Sequence, residues 1–124
     1  MKFDLGKAGL ETVLLPWQAE LMRFVWGDGE ADSRSGWEHL QGTEHGMSRA
    51  SVIFFFNDMV DDGFLAFREE TGKGGYHRVY SPAPDISDEK AFKASVTERV
   101  LGKLRAEFPD AWRKFREDLA REDG

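Results

Sequence analysis

A mainly α-helical fold carrying one small β-hairpin (α+β) is what this sequence predicts, and three observations predict it. Three short stretches repeat their apolar residues at helical spacing. Two β-prone runs follow, joined by glycines, with apolar or aromatic residues two apart. Two more helical stretches come after a pair of prolines. With 124 residues, of which 40% are apolar and 13% aromatic, the chain can build one core plus a short appended module.

The first helix is expected over "LPWQAELMRFVWGDG", where Pro16 suits the opening position and Gly27 and Gly29 suit the end. Trp17, Leu21, Phe24 and Val25 fall on one face of it. In "ADSRSGWEHLQG", Asp32 or Ser33 is a natural cap, Trp37 and Leu40 form the buried side, and Gly42 is the stop. After the connection "TEHGM", Ser48 caps a third helix running to about Asp62, with Gly63 beyond it. "FLAFREE" and "YHRVYSP" then read as strands, and "TGKGG" as the hairpin loop between them. Pro82 and Pro84 close the second strand. From Ser87 or Asp88 a helix carries Phe92, Val96, Val100, Leu101, Leu104 and Phe108 in one stripe, until Pro109 interrupts it. A last helix puts Trp112, Phe115 and Leu119 on one side.

Three short helices followed by a two-stranded ribbon is the outline of a winged helix-turn-helix. The expected division is a winged-helix domain over residues 1–84 and a helical tail over 85–124. The tail stripe, Phe92, Val96, Val100, Leu101, Leu104, Phe108, Trp112 and Phe115, is too large for a small three-helix body to bury. It predicts an isologous homodimer, with folding back on the chain's own domain as the alternative.

The third helix carries the functional question. At 100° per residue, Val52, Phe55, Phe56, Met59 and Val60 share the inward side, each contributing roughly 1.5–3 kcal/mol when buried. Phe54 falls almost opposite, beside Ala50 and Asn57, with Ile53 on the flank. In a helix-turn-helix the outward side near this N-terminus meets base edges, which nominates Ser48, Arg49, Ala50, Ser51, Ile53, Phe54 and Asn57. The same face also reads as solvated surface whose two apolar residues are covered by a neighbour or a second subunit. The hairpin adds Arg68, Lys73, His77 and Arg78 against Glu69 and Glu70, with Lys73 at a glycine-rich tip that can approach a phosphate backbone.

Charge works against indiscriminate nucleic-acid binding. The net charge is −6, and all of it falls in residues 1–86, with 8 Lys+Arg against 14 Asp+Glu; residues 87–124 hold 9 of each. Any duplex-facing surface must be a local basic patch on an acidic body. No apolar run reaches membrane-spanning length, "MKFDLGKAGL" lacks the features of a secretory signal, and zero cysteines fit a cytoplasmic protein. Glu38, His39, Glu44 and His45 match no zinc spacing, and "GKGG" lacks the Walker pattern. No serine–histidine–acid set marks a nucleophile. No cofactor, no metal and no enzymatic activity are expected.

Three stretches resemble the penicillinase-repressor group of winged-helix regulators (the BlaI, MecI and CopY type). "LPWQAELMRFVWGDGEADSRSGWEHL" looks like their first two helices, "MSRASVIFFFNDMVDDGFL" like their recognition helix, and "YHRVYSP" like their second wing strand. The likeness spans roughly Leu15 to Pro84. It implies a homodimeric repressor of transcription bound to double-stranded DNA at a dyad-symmetric operator. Positions matching Ala50, Ser51 and Ile53 would contact bases, the wing would contact phosphates, and a small molecule or protein would serve as effector. This chain departs from the group at Ala50, Ile53 and Phe54, where basic or polar residues are typical, and at Asp61 and Asp62, where lysines are common. The cysteine ligands of the copper-responsive branch are absent. The alternative function is a winged helix that binds protein through Ile53 and Phe54.

Overall fold

The computed structural model describes residues Met1–Asp123 and divides the chain into two units, Met1–Phe92 and Lys93–Gly124. The first unit is a winged helix. Its elements are a 3-10 turn at Gly9–Thr12, α1 (Pro16–Asp28), β1 (Ala31–Asp32), α2 (Ser33–Gln41), α3 (Arg49–Asp61), β2 (Leu65–Gly72) and β3 (Gly75–Pro82). The three strands form an antiparallel sheet in the order β1-β3-β2. α4 (Glu89–Glu107) begins in this unit and ends in the second.

The helix ends follow from local chemistry. Pro16 opens α1, the Gln18 side chain accepts from the Leu15 amide at 2.9 Å, and Gly29 closes the helix at φ 88°. α2 starts in a reciprocal cap: Asp32 Oδ1 accepts from the Ser35 amide at 2.7 Å, and Ser35 Oγ accepts from the Asp32 amide at 3.1 Å. α3 is capped by Ser48, whose Oγ accepts from the Ser51 amide at 3.1 Å. It ends with Gly63 at φ 81°, whose amide donates to Val60 O while the Phe64 amide donates to Met59 O. That turn leads straight into β2.

The core of this unit lies where α1, α2 and α3 meet the sheet. Leu21, Met22, Val25, Leu40, Val52, Phe56 and Phe64 are all fully buried. The predicted inner stripe of α3 is buried at Val52, Phe55, Phe56 and Met59 and half-buried at Val60. α2 approaches its neighbours so closely that a Cβ on Gly36 would lie 3.0 Å from the Phe56 ring and 3.2 Å from Leu21. A helix-interior glycine is thus fixed by packing rather than by backbone shape.

The structure corrects one expectation about the tail stripe. Phe92 is fully buried inside the first unit, its ring centroid 4.7 Å from Phe64 and 5.6 Å from Trp26. It is core and not an exposed contact residue. Apolar periodicity finds the buried side of a helix but does not say which body covers it. Val96 is also buried.

In the second unit the rest of α4 is followed by α5 (Pro109–Asp123). Helical hydrogen bonding crosses the proline: the Phe108 amide donates to Leu104 O, and its carbonyl accepts from the Trp112 amide. Trp112 and Phe115 pack with centroids 5.9 Å apart. Leu101, Leu104, Phe108, Phe115 and Leu119 are exposed, and Val100 and Trp112 half-buried. None of the helices among the described residues is long and apolar enough to cross a membrane.

Candidate nucleic-acid interface

α3 buries one side and leaves the other open, and the open side begins at its N-terminus. Ser48, Arg49 and Ala50 are exposed, Ile53 is 36% exposed and Phe54 68%. Ser48 and Ser51 are partly committed to each other: beyond the cap, their hydroxyl oxygens lie 2.9 Å apart. Arg49 makes no hydrogen bond or ion pair among the described residues. Lys73 is in the same state at the hairpin tip, where Gly72 pairs with Gly75 across the two-residue loop and Gly74 adopts φ 91°. A positive φ there is accessible to glycine and costly for most other residues.

Three of the nominated residues, Asn57, Arg78 and Arg68, are engaged inside the protein. Asn57 does not face outward: its Oδ1 accepts from Tyr80 Oη at 2.6 Å and from Arg78 Nη1 at 3.1 Å, tying α3 to β3. The Arg78 guanidinium also sits 3.9 Å above the Phe67 ring, a cation–π contact. Burial pushes the Tyr80 hydroxyl above its ordinary pKa, with the nearby Arg78 charge partly opposing the shift. Asn57 lies 60° round the helix from Phe54, close enough to the edge of the outer face for a β-strand to reach it.

Arg68 is a further correction. Its guanidinium donates to Glu30 at 2.7 and 3.2 Å and to Glu70 at 2.7 and 3.0 Å. These hydrogen bonds raise its already high pKa further, and Arg68 in turn holds the Glu30 carboxyl below the usual carboxylate value. One cation held by two carboxylates gives the wing no surplus positive charge at that point. His77 lies 3.8 Å from Asp32 and 3.9 Å from Glu70, so those carboxylates face its ring as well.

The structure therefore brings together Arg49, Ala50, Ile53 and Phe54 as an open face, places Lys73 free on the tip, and spends Asn57, Arg78 and Arg68 internally. Sequence reasoning missed the neutralising role of Glu30 and the exposed aromatics of the hairpin, Tyr76 (78%) and Phe67 (42%). Tyr76 and Phe67 share a sheet face with Arg78; the two-residue period places Tyr76 and Arg78 on one face but does not say that their end of it is left uncovered. Glu30 gives no such signal, because it meets Arg68 from 38 residues away.

The histidine cluster does not assemble. His39 Nε2 lies 2.8 Å from Glu20 while its ring stacks on Phe24 at 4.2 Å, and His45 lies 3.6 Å from Glu44. No group of three or more metal-ligating side chains exists among the described residues.

Fold and exposed face together define a winged-helix protein with an open third helix. No family model and no curated protein matches the sequence. The crystal structure of Bacillus subtilis PadR in complex with operator DNA is similar to this chain, at 14% identity over 87% of this chain and 79% of that one, with a TM-score of 0.49.

Proposed function

We propose that this protein is a homodimeric DNA-binding regulator of transcription, acting as a repressor on a dyad-symmetric operator. One observation carries the reading. The half of α3 that a helix-turn-helix turns toward bases is open and holds the unpaired Arg49, while the hairpin tip holds the unpaired Lys73. In this reading α3 enters the major groove with Arg49, Ala50, Ser51, Ile53 and Phe54. Arginine suits guanine, and the apolar pair suits thymine methyl groups. Lys73 lies on the adjacent backbone. The resemblance of the quoted stretches to the penicillinase-repressor group supports the same assignment.

The tail supports pairing by its charge. Residues 87–124 balance 9 basic against 9 acidic side chains, so two copies can meet there without the repulsion that the acidic first part would bring. The exposed residues Leu101, Leu104, Phe108, Phe115 and Leu119 recur at helical spacing and supply the apolar contact. Phe108→Glu should convert a dimer to a monomer in sedimentation equilibrium.

The test is selection of duplexes from a random pool, followed by anisotropy titration of the winner. Arg49→Ala should cost about 1–3 kcal/mol and relax one base position. Lys73→Ala should weaken all sequences alike and flatten the salt slope by about one unit. Failure to enrich any duplex at low salt would defeat the proposal.

A second reading is favoured by Phe54. A phenylalanine 68% exposed beside Ile53, with Asp58 and Asp61 further along α3, also suits a basic protein partner. Phe54→Lys separates the two: it should tighten non-specific duplex binding in the first case and abolish partner capture in the second.

A further inference from the structure

Away from the base-reading end of α3, the first unit holds a cavity of about 980 Å³. The segment before α1 forms one wall, and the start of α1 and the C-terminal half of α3 form the others. Its floor is apolar: Leu14, Phe55 and Met59, each 4% exposed, line it together with the half-buried Val13 and the exposed Leu15. A space of this size suits a drug-sized ligand.

The polar side of the cavity has a definite sign. Asp58, Asp61 and Asp62 line it from the last turn and cap of α3, where the helix dipole is already negative and no basic residue lies in the turn. Asp58 and Asp61 stand on the same side of the helix, three residues apart, and neither carboxylate has a hydrogen-bond or ion-pair partner among the described residues. Asp4 and Glu11 add carboxylates from the opposite wall, against Lys2, Lys7 and the amino terminus at Met1, so five acidic groups face three basic ones. Both lysines sit on exposed chain at the ends of long side chains. The aspartates are exposed as well, but a helix anchors their backbone and their side chains are short, so they stay nearer the cavity than the longer lysine side chains do. Carboxylates at the negative end of a helix favour a cation, and an apolar floor then selects one with a hydrocarbon or aromatic body.

We propose that this cavity binds an amphipathic organic cation, its charge against Asp58 and Asp61 and its apolar body over Leu14, Phe55 and Met59. The cavity itself sets the size of the ligand and the carboxylates set its sign. A bare metal ion fits less well, since it needs several oxygen ligands and no three metal-ligating side chains come together among the described residues. Because binding is read on the protein alone, the outcome is independent of whether α3 meets DNA.

The experiment uses two ions of the same shape and opposite charge. Tetraphenylphosphonium and tetraphenylborate are titrated calorimetrically into the full chain at one ionic strength. The cation should bind once per chain, at least about tenfold tighter than the anion, as expected for fixed charges near a protein surface. Asp58→Asn with Asp61→Asn should reduce cation affinity by about tenfold while the melting temperature holds or rises, since a repulsive pair is removed. Leu15→Trp, which puts a bulkier side chain into the lining, should weaken the cation independently of charge. Equal affinity for the two ions, no saturable binding of the cation, or cation binding unchanged in either variant would overturn the proposal.

Discussion

Replacing Asn57 by alanine tests whether that residue serves the fold or the outer surface. Its Oδ1 is the acceptor for the hydroxyl of Tyr80, a residue only 2% exposed, and for the half-buried Arg78. Removing the acceptor strands the Tyr80 hydroxyl, which costs about 1–3 kcal/mol. Arg78 can turn to water and adds little. The expected loss is therefore about 2 kcal/mol, or a melting point lower by roughly 8–16 °C in a domain of this size. Tyr80→Phe should cost less, about 0.5–1.5 kcal/mol, because Arg78 still satisfies Asn57 and the ring keeps its place 4.8 Å from Phe56. In the double variant the stranded hydroxyl is gone, so the two losses should fall short of additivity by about 1 kcal/mol. Urea unfolding followed by circular dichroism measures all three. A stable Asn57→Ala protein with strictly additive losses would refute the clamp and return Asn57 to the outer face.

Other expectations rest on separate features. Gly36→Val should destabilise by about 1–3 kcal/mol, because its side chain meets the immobile Phe56 ring and Leu21, while Gly27→Ala, with nothing within 4 Å, should gain up to about 1 kcal/mol; thermal melts of both decide it. Glu30→Gln combined with Glu70→Gln should release Arg68 and steepen the salt dependence of duplex binding by about one unit, measured by anisotropy against log salt. Tyr80 holds its proton more tightly in the folded state, so its contribution is complete below the ordinary tyrosine value of about 10 and lost as pH rises through the higher folded value. Urea midpoints between about pH 9 and 11 should accordingly fall faster for the parent than for Tyr80→Phe, and parallel curves would count against it.

What the sequence reveals of this molecule is what depends on near neighbours. Pro16 marks a helix start through its fixed backbone angle, Asp32, Ser48 and Gly63 mark helix ends through bonds three residues away, and each lies at the end the reading assigns. The inner side of α3 is legible for the same reason, since helical period alone sorts Phe55 and Phe56 from Phe54. β1 escaped notice because its two residues are a strand only by pairing with Val79 and Tyr80 far along the chain. The 3-10 turn and the segment before α1 carry no periodicity to read. The site suffered from the same blindness to distance: Arg49 and Lys73 could be placed from their positions, but Arg68 and Asn57 looked available until partners 38 and 23 residues away claimed them.

The three-stranded sheet leaves much of its rim without a neighbour. β2 is an edge along its whole length, and β1 covers β3 only opposite Val79 and Tyr80. Bare backbone donors and acceptors of this kind invite a second hairpin to zip alongside. Here the run Arg68, Glu69, Glu70 stands on that border, with Arg68 fastened to carboxylates on either hand. A ribbon approaching from outside would have to strip water from those ions before the first strand-to-strand bond could form. Side chains that leave this border with no surplus positive charge thus also hinder one copy's ribbon from zipping onto another's.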